Sequence, residues 1–447
     1  MKSSSLSLVF LLVLCSAALS SQRVLLSGES EGKNNNIDGG TGENSISLSL
    51  PLVSLPLSRH PATSLPFSSS AVKKQQVRGS KISYRSSFRY TRALVLSLPI
   101  GTPTQTQQMV LDTGSQLSWI QCQKKKQSSC FDPSLSSTFS NLPCNTSLCK
   151  PPVPDFTIPT DCDPNRLCHY SYFYADGTLA EGNLVREKIN LSASQTTQPI
   201  ILGCARDAQP AEGILGMNLG RLSFASQAGI SKFSYCVPPT SNGAFYLGDN
   251  PNLRGGVRYL SLLRFDKQTS KGPLPYLDRA AYTVGMAGVR LGATRLNIPP
   301  AVFRPDAGGA GQTMIDSGTE YTFLVEAAHA RIKAEVERAV GRRFRPKTGY
   351  VYAGGLDVCY QALAAEIGRL VGDVAMEFEG GAELVVEKER AWVDAGAGTA
   401  CLSVGSSQLL GVESNIIGNF HQQNYWVEFD LVNSRVGVVR ADCSRAV

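Results

Sequence analysis

Charged residues are scarce in this 447-residue sequence, at 18% of the chain, while apolar residues make up 42%. A chain with this balance can bury a core, which excludes a disordered acidic or basic scaffold. The 41 Gly and 24 Pro residues follow no Gly-X-Y period, which excludes collagen and indicates many turns between short strands. We therefore expect a β-rich protein, and the length predicts two domains of similar size with some additional chain.

Acidic residues are absent between Ala71 and Leu111, and this gap accounts for the formal net charge of +7. Seven basic residues lie inside the gap: Lys73, Lys74, Arg78, Lys81, Arg85, Arg89 and Arg92. The positive excess is confined to this one segment rather than spread over a domain. Nucleic-acid binding is therefore not expected.

Long apolar runs are also missing, except near the start of the sequence. Lys2, the run Leu6–Leu14 and the small residues of Ala18-Leu19-Ser20 have the charge, length and composition of a secretory signal peptide. We predict a signal peptide at residues 1–20, because its apolar run is too short to span a bilayer. Residues 21–85 are rich in Ser, Asn, Leu and Pro and free of cysteine, which predicts a removable pro-segment. With no later run that could cross a membrane, we expect an exported, soluble product.

The motif Cys-x-x-Cys is absent, although the sequence has 12 cysteines. Cys15 lies in the predicted signal peptide, and in an oxidising compartment the odd number that remains predicts five disulfides and one thiol. A zinc site at Cys162, Cys168 and His169 would be the alternative, but the missing motif disfavours it, and we predict neither a metal nor another cofactor. Two Asn-x-Ser/Thr triplets predict N-glycosylation, in agreement with export, at Asn145 and Asn190.

Histidines are few, and no Gly-x-Ser-x-Gly elbow or phosphate-binding loop accompanies them, so serine catalysis and nucleotide binding are not expected. From Ala93 onward, short apolar runs broken by turns predict strands at Ala93–Leu98, Gln108–Leu111 and Leu117–Gln121. A helix is predicted over Val325–Val340, where apolar residues recur at helical spacing. His329 lies on that helix, and we interpret it as structural.

A short internal repeat divides the chain into two halves with one plan. Val110-Leu111-Asp112-Thr113-Gly114-Ser115 recurs 204 residues later as Met314-Ile315-Asp316-Ser317-Gly318-Thr319. A second element follows each copy, Ile214-Leu215-Gly216 after the first and Ile416-Ile417-Gly418 after the second, at Asp-to-Gly separations of 104 and 102. One copy alone would be interpreted as a turn after a buried strand. Two copies with matched partners indicate a shared function.

The residue types in the repeat suit acid–base chemistry. Each aspartate is predicted to leave a buried strand on a tight turn, where Gly114 or Gly318 permits a backbone approach that a side chain would block. Neighbouring hydroxyl groups can hold the carboxylates in one geometry: Thr113, Ser115, Ser317 and Thr319. If pseudo-twofold symmetry brings Asp112 and Asp316 together, both cannot ionise cheaply, and the pair holds one proton. One group can then act as a base and the other as an acid.

With these residues the sequence resembles the pepsin-like aspartic proteases, and among them the plant nepenthesin-type branch, close to its atypical members related to the cell-survival protease. The resemblance extends from about residue 86 to 447. Besides the repeat and Trp119, it depends on Ile100-Gly101-Thr102-Pro103, Phe131-Asp132-Pro133, Tyr174-Ala175-Asp176-Gly177 and Phe233-Ser234-Tyr235-Cys236.

The resemblance implies an all-β, bilobal pepsin-like fold with a few short helices and a substrate cleft between two pseudo-twofold related lobes. The lobes would comprise residues 86–250, with the first aspartate and a flap hairpin, and residues 251–447, with the second aspartate. Tyr174 matches the flap tyrosine, although an ordinary strand aromatic is the alternative, and Ala175 stands where a flap glycine is usual. Trp119 is assigned either to the core or to a supporting role.

The resemblance also implies a disulfide pattern. The implied pairs are Cys144 with Cys168, Cys149 with Cys162, Cys236 with Cys443, and Cys359 with Cys401. Cys204 is expected to pair with Cys122 or Cys130, which leaves the other as the thiol. The basic segment is either part of a pro-segment that lies across the acidic cleft at neutral pH or a solvated linker.

The expected function is that of a secreted aspartic-type endopeptidase, which hydrolyses peptide bonds at acidic pH through a water molecule activated by Asp112 and Asp316. Its expected partners are polypeptide substrates and its own pro-segment, and we expect a monomer without a membrane anchor. The expected location is extracellular, in the apoplast or cell wall, with the vacuole or another endomembrane compartment as alternatives. The alternative function is that of a catalytically silent binding protein on the same fold, such as an inhibitor of glycan-degrading enzymes.

Overall fold

The computed structural model describes residues 48–56, 92–122, 130–149, 160–174, 179–192, 195–206, 208, 212–240, 242–253, 255–265 and 274–446. The predicted signal peptide and most of the predicted pro-segment lie outside these residues. Within the described ranges, most of the regular structure is β-strand, which confirms the predicted all-β class. None of the helices in these ranges is long and apolar enough to cross a membrane.

The first half of the chain contributes thirteen of the described strands. Their bounds are β1 Leu48–Pro56, β2 Arg92–Ile100, β3 Gln105–Asp112, β4 Trp119–Gln121, β5 Ser140–Asn141, β6 Asp161–Cys162, β7 Cys168–Phe173, β8 Leu179–Glu187, β9 Ile200–Ala205, β10 Gly213–Gly216, β11 Lys232–Cys236, β12 Gly243–Leu247 and β13 Arg258–Ser261. Strands β2 and β3 confirm two of the predicted strands, and β4 is two residues shorter than the predicted Leu117–Gln121.

The second half contributes the other described strands, most of them in three four-stranded sheets. Their bounds are β14 Met286–Leu291, β15 Thr294–Arg295, β16 Thr313–Ile315, β17 Thr322–Leu324, β18 Arg345–Pro346, β19 Cys359–Gln361, β20 Val374–Phe378, β21 Glu383–Val386, β22 Trp392–Asp394, β23 Thr399–Leu402, β24 Val404–Ser406, β25 Asn415–Ile417, β26 Tyr425–Asp430 and β27 Arg435–Arg440. The three sheets have the strand orders β15-β14-β20-β21, β16-β25-β17-β24 and β18-β19-β23-β22.

Three α-helices are described: α1 Phe224–Gln227, α2 Glu326–Val340 and α3 Ala364–Val371. Helix α2 confirms the helix predicted from apolar spacing, and its buried stripe includes Ile332 and Val336. His329 is buried on the same helix, and its Nε2 lies 3.0 Å from Asp357 Oδ1, which supports the structural interpretation.

One sheet joins the two halves of the chain. Strand β11 pairs with β26, and β26 pairs with β27, so strands from residues 232–236 and 425–440 lie side by side. The rings of Phe233 and Phe429 stack across this junction with centroids 4.6 Å apart. The predicted lobe boundary at residue 250 therefore lies within a shared sheet, and the assignment of lobes to 86–250 and 251–447 stays a prediction.

Strand β1 lies inside the predicted pro-segment but belongs to the folded sheet. Its first part pairs with β12, and its second part pairs with β2, so the strand links β12 of the junction sheet to the strands of the first half. Leu52, opposite Gly243, is 1% exposed and packs in the main hydrophobic core. Leu48–Pro56 of the predicted pro-segment is therefore paired into the folded sheet, and the removal of residues 21–85 stays a prediction.

We predict that Leu52→Ala lowers the free energy of unfolding of the full chain by about 3 kcal/mol, because it opens a cavity in a packed core. Ser49→Ala is the matched control, since Ser49 is exposed on the same strand, and we expect a change below about 0.5 kcal/mol. Denaturant unfolding measures both values. Equal stability of the two variants would contradict the assignment of β1 to the core.

Five disulfides are formed among the described cysteines, and three of them match the predicted pattern. The matching pairs are Cys122–Cys204, Cys236–Cys443 and Cys359–Cys401. Cys122 is thus the partner of Cys204, and Cys130 is the described cysteine outside the disulfides, in a buried position.

The other two implied pairs were wrong, because the structure joins Cys144 to Cys162 and Cys149 to Cys168. Strands β6 and β7 place Cys162 directly opposite Cys168, so all four cysteines gather in one place, and their order along the chain does not determine the pairing. The sulfur atoms of Cys144, Cys149 and Cys162 lie within 4.8 Å of one another. Because each is bonded in a disulfide, none of the three is available as a thiolate metal ligand.

Candidate active site

The sequence repeat is also a structural repeat. In the first half, β10 lies parallel to β3, with Gly216 opposite Asp112, and antiparallel to β4. In the second half, β25 lies parallel to β16, with Ile417 opposite Ile315, and antiparallel to β17. Each aspartate lies at or directly after the end of a strand, as the sequence predicted, and the neighbouring strand carries the second element of the repeat.

The two aspartates are held by matching hydrogen bonds within their own loops. Gly114 N donates to Asp112 Oδ1 over 2.9 Å, and the Ser115 hydroxyl donates to Oδ2. Gly318 N donates to Asp316 Oδ1 over 2.8 Å, and Thr319 Oγ1 donates to Oδ2 over 2.5 Å. Both carboxyl groups are buried and turned by their own loops into a fixed orientation.

The two loops are joined to each other by Thr113 and Ser317. Thr113 N donates to Ser317 Oγ over 3.0 Å, and Ser317 N donates to Thr113 Oγ1 over 2.9 Å. Each hydroxyl then reaches the opposite strand: Thr113 Oγ1 donates to the Ile315 carbonyl over 3.3 Å, and Ser317 Oγ donates to the Leu111 carbonyl over 2.8 Å. These four reciprocal bonds fix the position of one loop against the other.

Each carboxyl group packs against the glycine of the opposite loop. A Cβ atom added at Gly114 would lie 2.8 Å from Asp316 Oδ1 and Oδ2. A Cβ atom added at Gly318 would lie 2.2 Å from Asp112 Oδ1. Glycine is therefore required at both positions by space, and the structure brings the two predicted aspartates to the same place.

Burial raises the pKa of both carboxyl groups, and the charge of Asp316 raises the pKa of Asp112 further. Removal from water is the largest cause of the raised pKa of Asp112. The charge of Asp316 raises this pKa further, and the hydrogen bonds from Ser115 and Gly114 lower it. Burial likewise raises the pKa of Asp316, while the bonds from Thr319 and Gly318 lower it. The pair can therefore retain a proton above the pH at which an exposed carboxyl group loses it.

Tyr174 lies at the end of the hairpin formed by β7 and β8, where a flap was predicted. Its hydroxyl accepts a 2.7 Å hydrogen bond from Trp119 Nε1, and its ring lies edge-on to Tyr172 with centroids 5.0 Å apart. This bond gives Trp119 a definite supporting contact, which its place in the sequence did not reveal. Residues 175–178, including Ala175, lie outside the described residues.

Sequence reasoning missed several polar residues that contact the second loop from behind. Asn419 Nδ2 donates to the Ser317 carbonyl over 3.0 Å, and Gln422 Nε2 donates to the Asp316 carbonyl over 3.1 Å. Both belong to the short 3-10 helix Asn419–Gln422, which follows Gly418 of the repeat. Their position directly after a repeated element was the available signal, but which of these amides reach the loop depends on the fold.

Paired carboxyl groups on twofold-related loops are the arrangement that defines the pepsin-like aspartic proteases. Comparison with known proteins agrees with this class. A family model described as "Xylanase inhibitor N-terminal" matches residues 95–249, and one described as "Xylanase inhibitor C-terminal" matches residues 281–439.

Among curated proteins, the chain is 37% identical over 382 residues to "Aspartic proteinase PCS1" of Arabidopsis thaliana, covering 80% of this chain and 83% of that protein. It is 32% identical over 364 residues to "Aspartic proteinase nepenthesin-1" of Nepenthes gracilis, covering 78% of each. The chain belongs to the plant nepenthesin-type family of pepsin-like aspartic proteases.

Solved structures support the fold. The structure described as "Crystal structure of edgp" aligns with a TM-score of 0.60 at 18% identity, covering 89% of this chain and 95% of that one. The structure of basic 7S globulin from soybean aligns with a TM-score of 0.58 at 16% identity, covering 90% and 99%. The predicted pepsin-like fold is thus confirmed.

Proposed function

We propose that this protein is an aspartic endopeptidase that hydrolyses polypeptides at acidic pH, with Asp112 and Asp316 as its catalytic pair. The contact of each buried carboxyl group with the glycine of the other loop supports the proposal, because two acids this near to the same loops would share a proton. Relatives named as aspartic proteinases support the same activity. No cofactor takes part in the proposed reaction.

The proposed mechanism uses a water molecule held between the two carboxyl groups. The ionised carboxyl group takes a proton from the water as the water oxygen attacks the scissile carbonyl carbon. The protonated carboxyl group gives its proton to the carbonyl oxygen. The resulting diol breaks down as its C–N bond cleaves, when one carboxyl group protonates the leaving nitrogen and the other takes back a hydroxyl proton. The pair ends with one proton, as it began, and no covalent intermediate forms.

We expect substrate to bind in the cleft between the lobes, beneath the flap. Tyr174, held by Trp119, would cover a polypeptide that lies between the lobes. The hydroxyls of Thr113, Ser115, Ser317 and Thr319 would keep the pair in place during turnover.

Export and processing are further parts of the proposal. A signal peptide at residues 1–20 would direct the chain into the secretory pathway, and part of residues 21–85 would be removed on maturation. Of the two proposed glycosylation sites, Asn145 is exposed, whereas Asn190 is half-buried and its Nδ2 donates to the Gly101 carbonyl over 3.0 Å. Asn145 is therefore the better acceptor.

A catalytically silent binding protein on this fold is the other candidate, because both matching family models are described by the name of an inhibitor. Such a protein needs no shared proton and no matched hydroxyls around its carboxyl groups. Here both aspartates, both glycines and all four supporting hydroxyls are in place. These residues favour the enzyme.

We predict a bell-shaped dependence of kcat/KM on pH, with its maximum in acid. The pKa values of the pair are raised, so the shared proton is retained in weak acid and lost as the pH rises through the raised value, which removes the general acid. At the lowest pH both groups are protonated, and the general base is lost. Cleavage of an acid-denatured protein by matured enzyme, with and without pepstatin, measures this dependence. Absence of pepstatin-sensitive cleavage between pH 2 and pH 7 would favour the silent binding protein.

A further inference from the structure

We propose that Gln422 is a positioning residue, which holds the main chain of Asp316 in its catalytic place. This inference rests on the proposed catalytic role of Asp112 and Asp316. Gln422 is fully buried at the end of the 3-10 helix that follows Gly418, and it contacts neither carboxyl group in the hydrogen bonds of the loops. Its effect on catalysis would therefore pass through the backbone of Asp316.

Three hydrogen bonds hold the Gln422 side chain and use both of its N–H donors and one lone pair of its Oε1. Its Nε2 donates to the Asp316 carbonyl over 3.1 Å and to the Ile417 carbonyl over 2.8 Å. Its Oε1 accepts from the Tyr235 hydroxyl. Because a carboxamide has two N–H donors in a plane with one strong acceptor, it is suited to link these three groups.

The two halves of the site differ at this point. In the first half, the carbonyl of Asp112 accepts a 2.8 Å hydrogen bond from a main-chain amide, that of Met217. In the second half, the carbonyl of Asp316 accepts its bond from the Gln422 side chain. The same backbone position is thus held by a main-chain amide in one half and by a replaceable side chain in the other.

Gln422 also ties the second loop to the sheet that joins the two halves. Tyr235 lies on β11, is fully buried and packs against Phe429 with ring centroids 5.9 Å apart. Through Gln422, the backbone of Asp316 is anchored to this rigid strand as well as to Ile417 beside it. Removing the amide would remove the hydrogen bond to the main chain of Asp316. The bonds from Thr319 and Gly318 to the Asp316 carboxyl group would stay intact.

The expected result for Gln422→Leu is a fall in kcat of about 10- to 100-fold, since small misplacements of reacting groups carry losses of this size. KM should change little, because Gln422 does not line the substrate cleft in this proposal. The alkaline limb of the pH profile should also move to lower pH, because a looser pair repels less and gives up its shared proton more readily. A purely structural role would lower stability without moving that limb.

The test compares Gln422→Leu with Gln423→Leu, the matched control. Gln423 is the next residue and also a buried amide, but its Oε1 accepts a hydrogen bond from Arg390 instead of from a residue of the junction sheet. Gln423→Leu should keep the wild-type kcat and pH profile. Gln422→Glu should recover part of the activity as the pH falls, because a protonated carboxyl group offers one donor and one acceptor in place of the amide.

Tyr235→Phe removes one partner of Gln422 without changing the amide, so it should produce a smaller loss with the same direction of pH shift, although the Tyr235 hydroxyl also contacts Thr113. Gln422→Glu, which leaves that contact intact, decides the proposal if Gln422→Leu does not fold. Asp316→Asn is measured in the same series. If Asp316→Asn retains turnover, the proposed function fails; if it is inactive while the folded Gln422 and Tyr235 variants keep the wild-type kcat and pH profile, only this inference is overturned.

Discussion

Asp316→Asn should lower kcat by at least about 1,000-fold, the range expected when a positioned acid–base group is removed. Asn has the shape of Asp, so its side chain can keep the contacts with Gly318 and Thr319 that orient Asp316. It cannot ionise, however, and it cannot share a proton with Asp112. The measurement is the single-turnover and steady-state rate on an acid-denatured protein at the pH optimum. Asp112→Asn should have an equally severe effect, because neither acid can replace the other.

Asp306→Asn is the matched control for this substitution. Asp306 also caps its own turn, with Oδ1 accepting from Gly308 N over 2.7 Å and from Ala310 N over 3.0 Å, but it is exposed. It should leave kcat and KM unchanged. Wild-type turnover by Asp316→Asn would contradict the assigned role of the second loop.

The melting temperature of Asp316→Asn, measured at different pH values, shows whether the variant is folded and whether it has lost one titrating acid. The pKa values of the pair are raised in the folded protein, so the folded chain holds a proton that the unfolded chain releases, and stability is lost as the pH rises through the raised values. Asp316→Asn removes one of these acids. Its melting temperature should therefore fall less than that of the wild type between acidic and neutral pH.

Gly318→Ala should also nearly abolish activity, because the added methyl group clashes with Asp112 although no charge is lost. The added Cβ would lie 2.2 Å from Asp112 Oδ1 and 2.6 Å from Asp112 Cγ, so the carboxyl group must move away from its bonds with Gly114 and Ser115. A shift of about 1 Å in a reacting group is associated with a loss of about 100-fold or more. We expect a loss of that size in kcat/KM in a protein that still folds.

Gly308→Ala is the control for this substitution, because its Cβ would meet nothing closer than Asp306 Oδ1 at 3.4 Å. It should leave activity unchanged. Gly114→Ala provides a graded comparison, since its Cβ would stand 2.8 Å from Asp316, and it should be less severe than Gly318→Ala. Comparable activity in Gly318→Ala and Gly308→Ala would mean that the Asp112 carboxyl group lies farther from Gly318 than the structure places it.

The paired strands and helix α2 could be predicted because their signals are local. Strands β2 and β3 contain short apolar runs that are separated by a turn, and α2 repeats apolar residues at helical spacing. Helix α3 was missed because it is short and contains Gly368, an unfavourable helix residue, at a point where a Cβ would lie 2.0 Å from the Lys388 carbonyl. Glycine is kept there by a contact that only the folded chain reveals.

The positions of Asp112 and Asp316 could be predicted because the repeat marks them twice, but the contacts behind them could not. Gln422 reaches Asp316 from 106 residues away, and no repeated pattern contains it. The exchanged disulfides have a similar origin: Cys162 and Cys168 face each other in register, so a pairing implied by the resemblance does not distinguish two neighbouring bridges. Strand β1 was overlooked because Pro51 and Pro56 within it disfavour a strand by composition.

The Cys236–Cys443 bond joins two cysteines 207 positions apart, and the chain between them contains the whole Asp316 loop. Asp112 precedes Cys236, whereas Asp316 lies between the two cysteines. If another protease nicked the backbone between Cys236 and Asp316, the fragment with Asp316 would stay covalently attached to the fragment with Asp112. Such a two-chain form would run as one band on a denaturing gel until a reductant released its pieces.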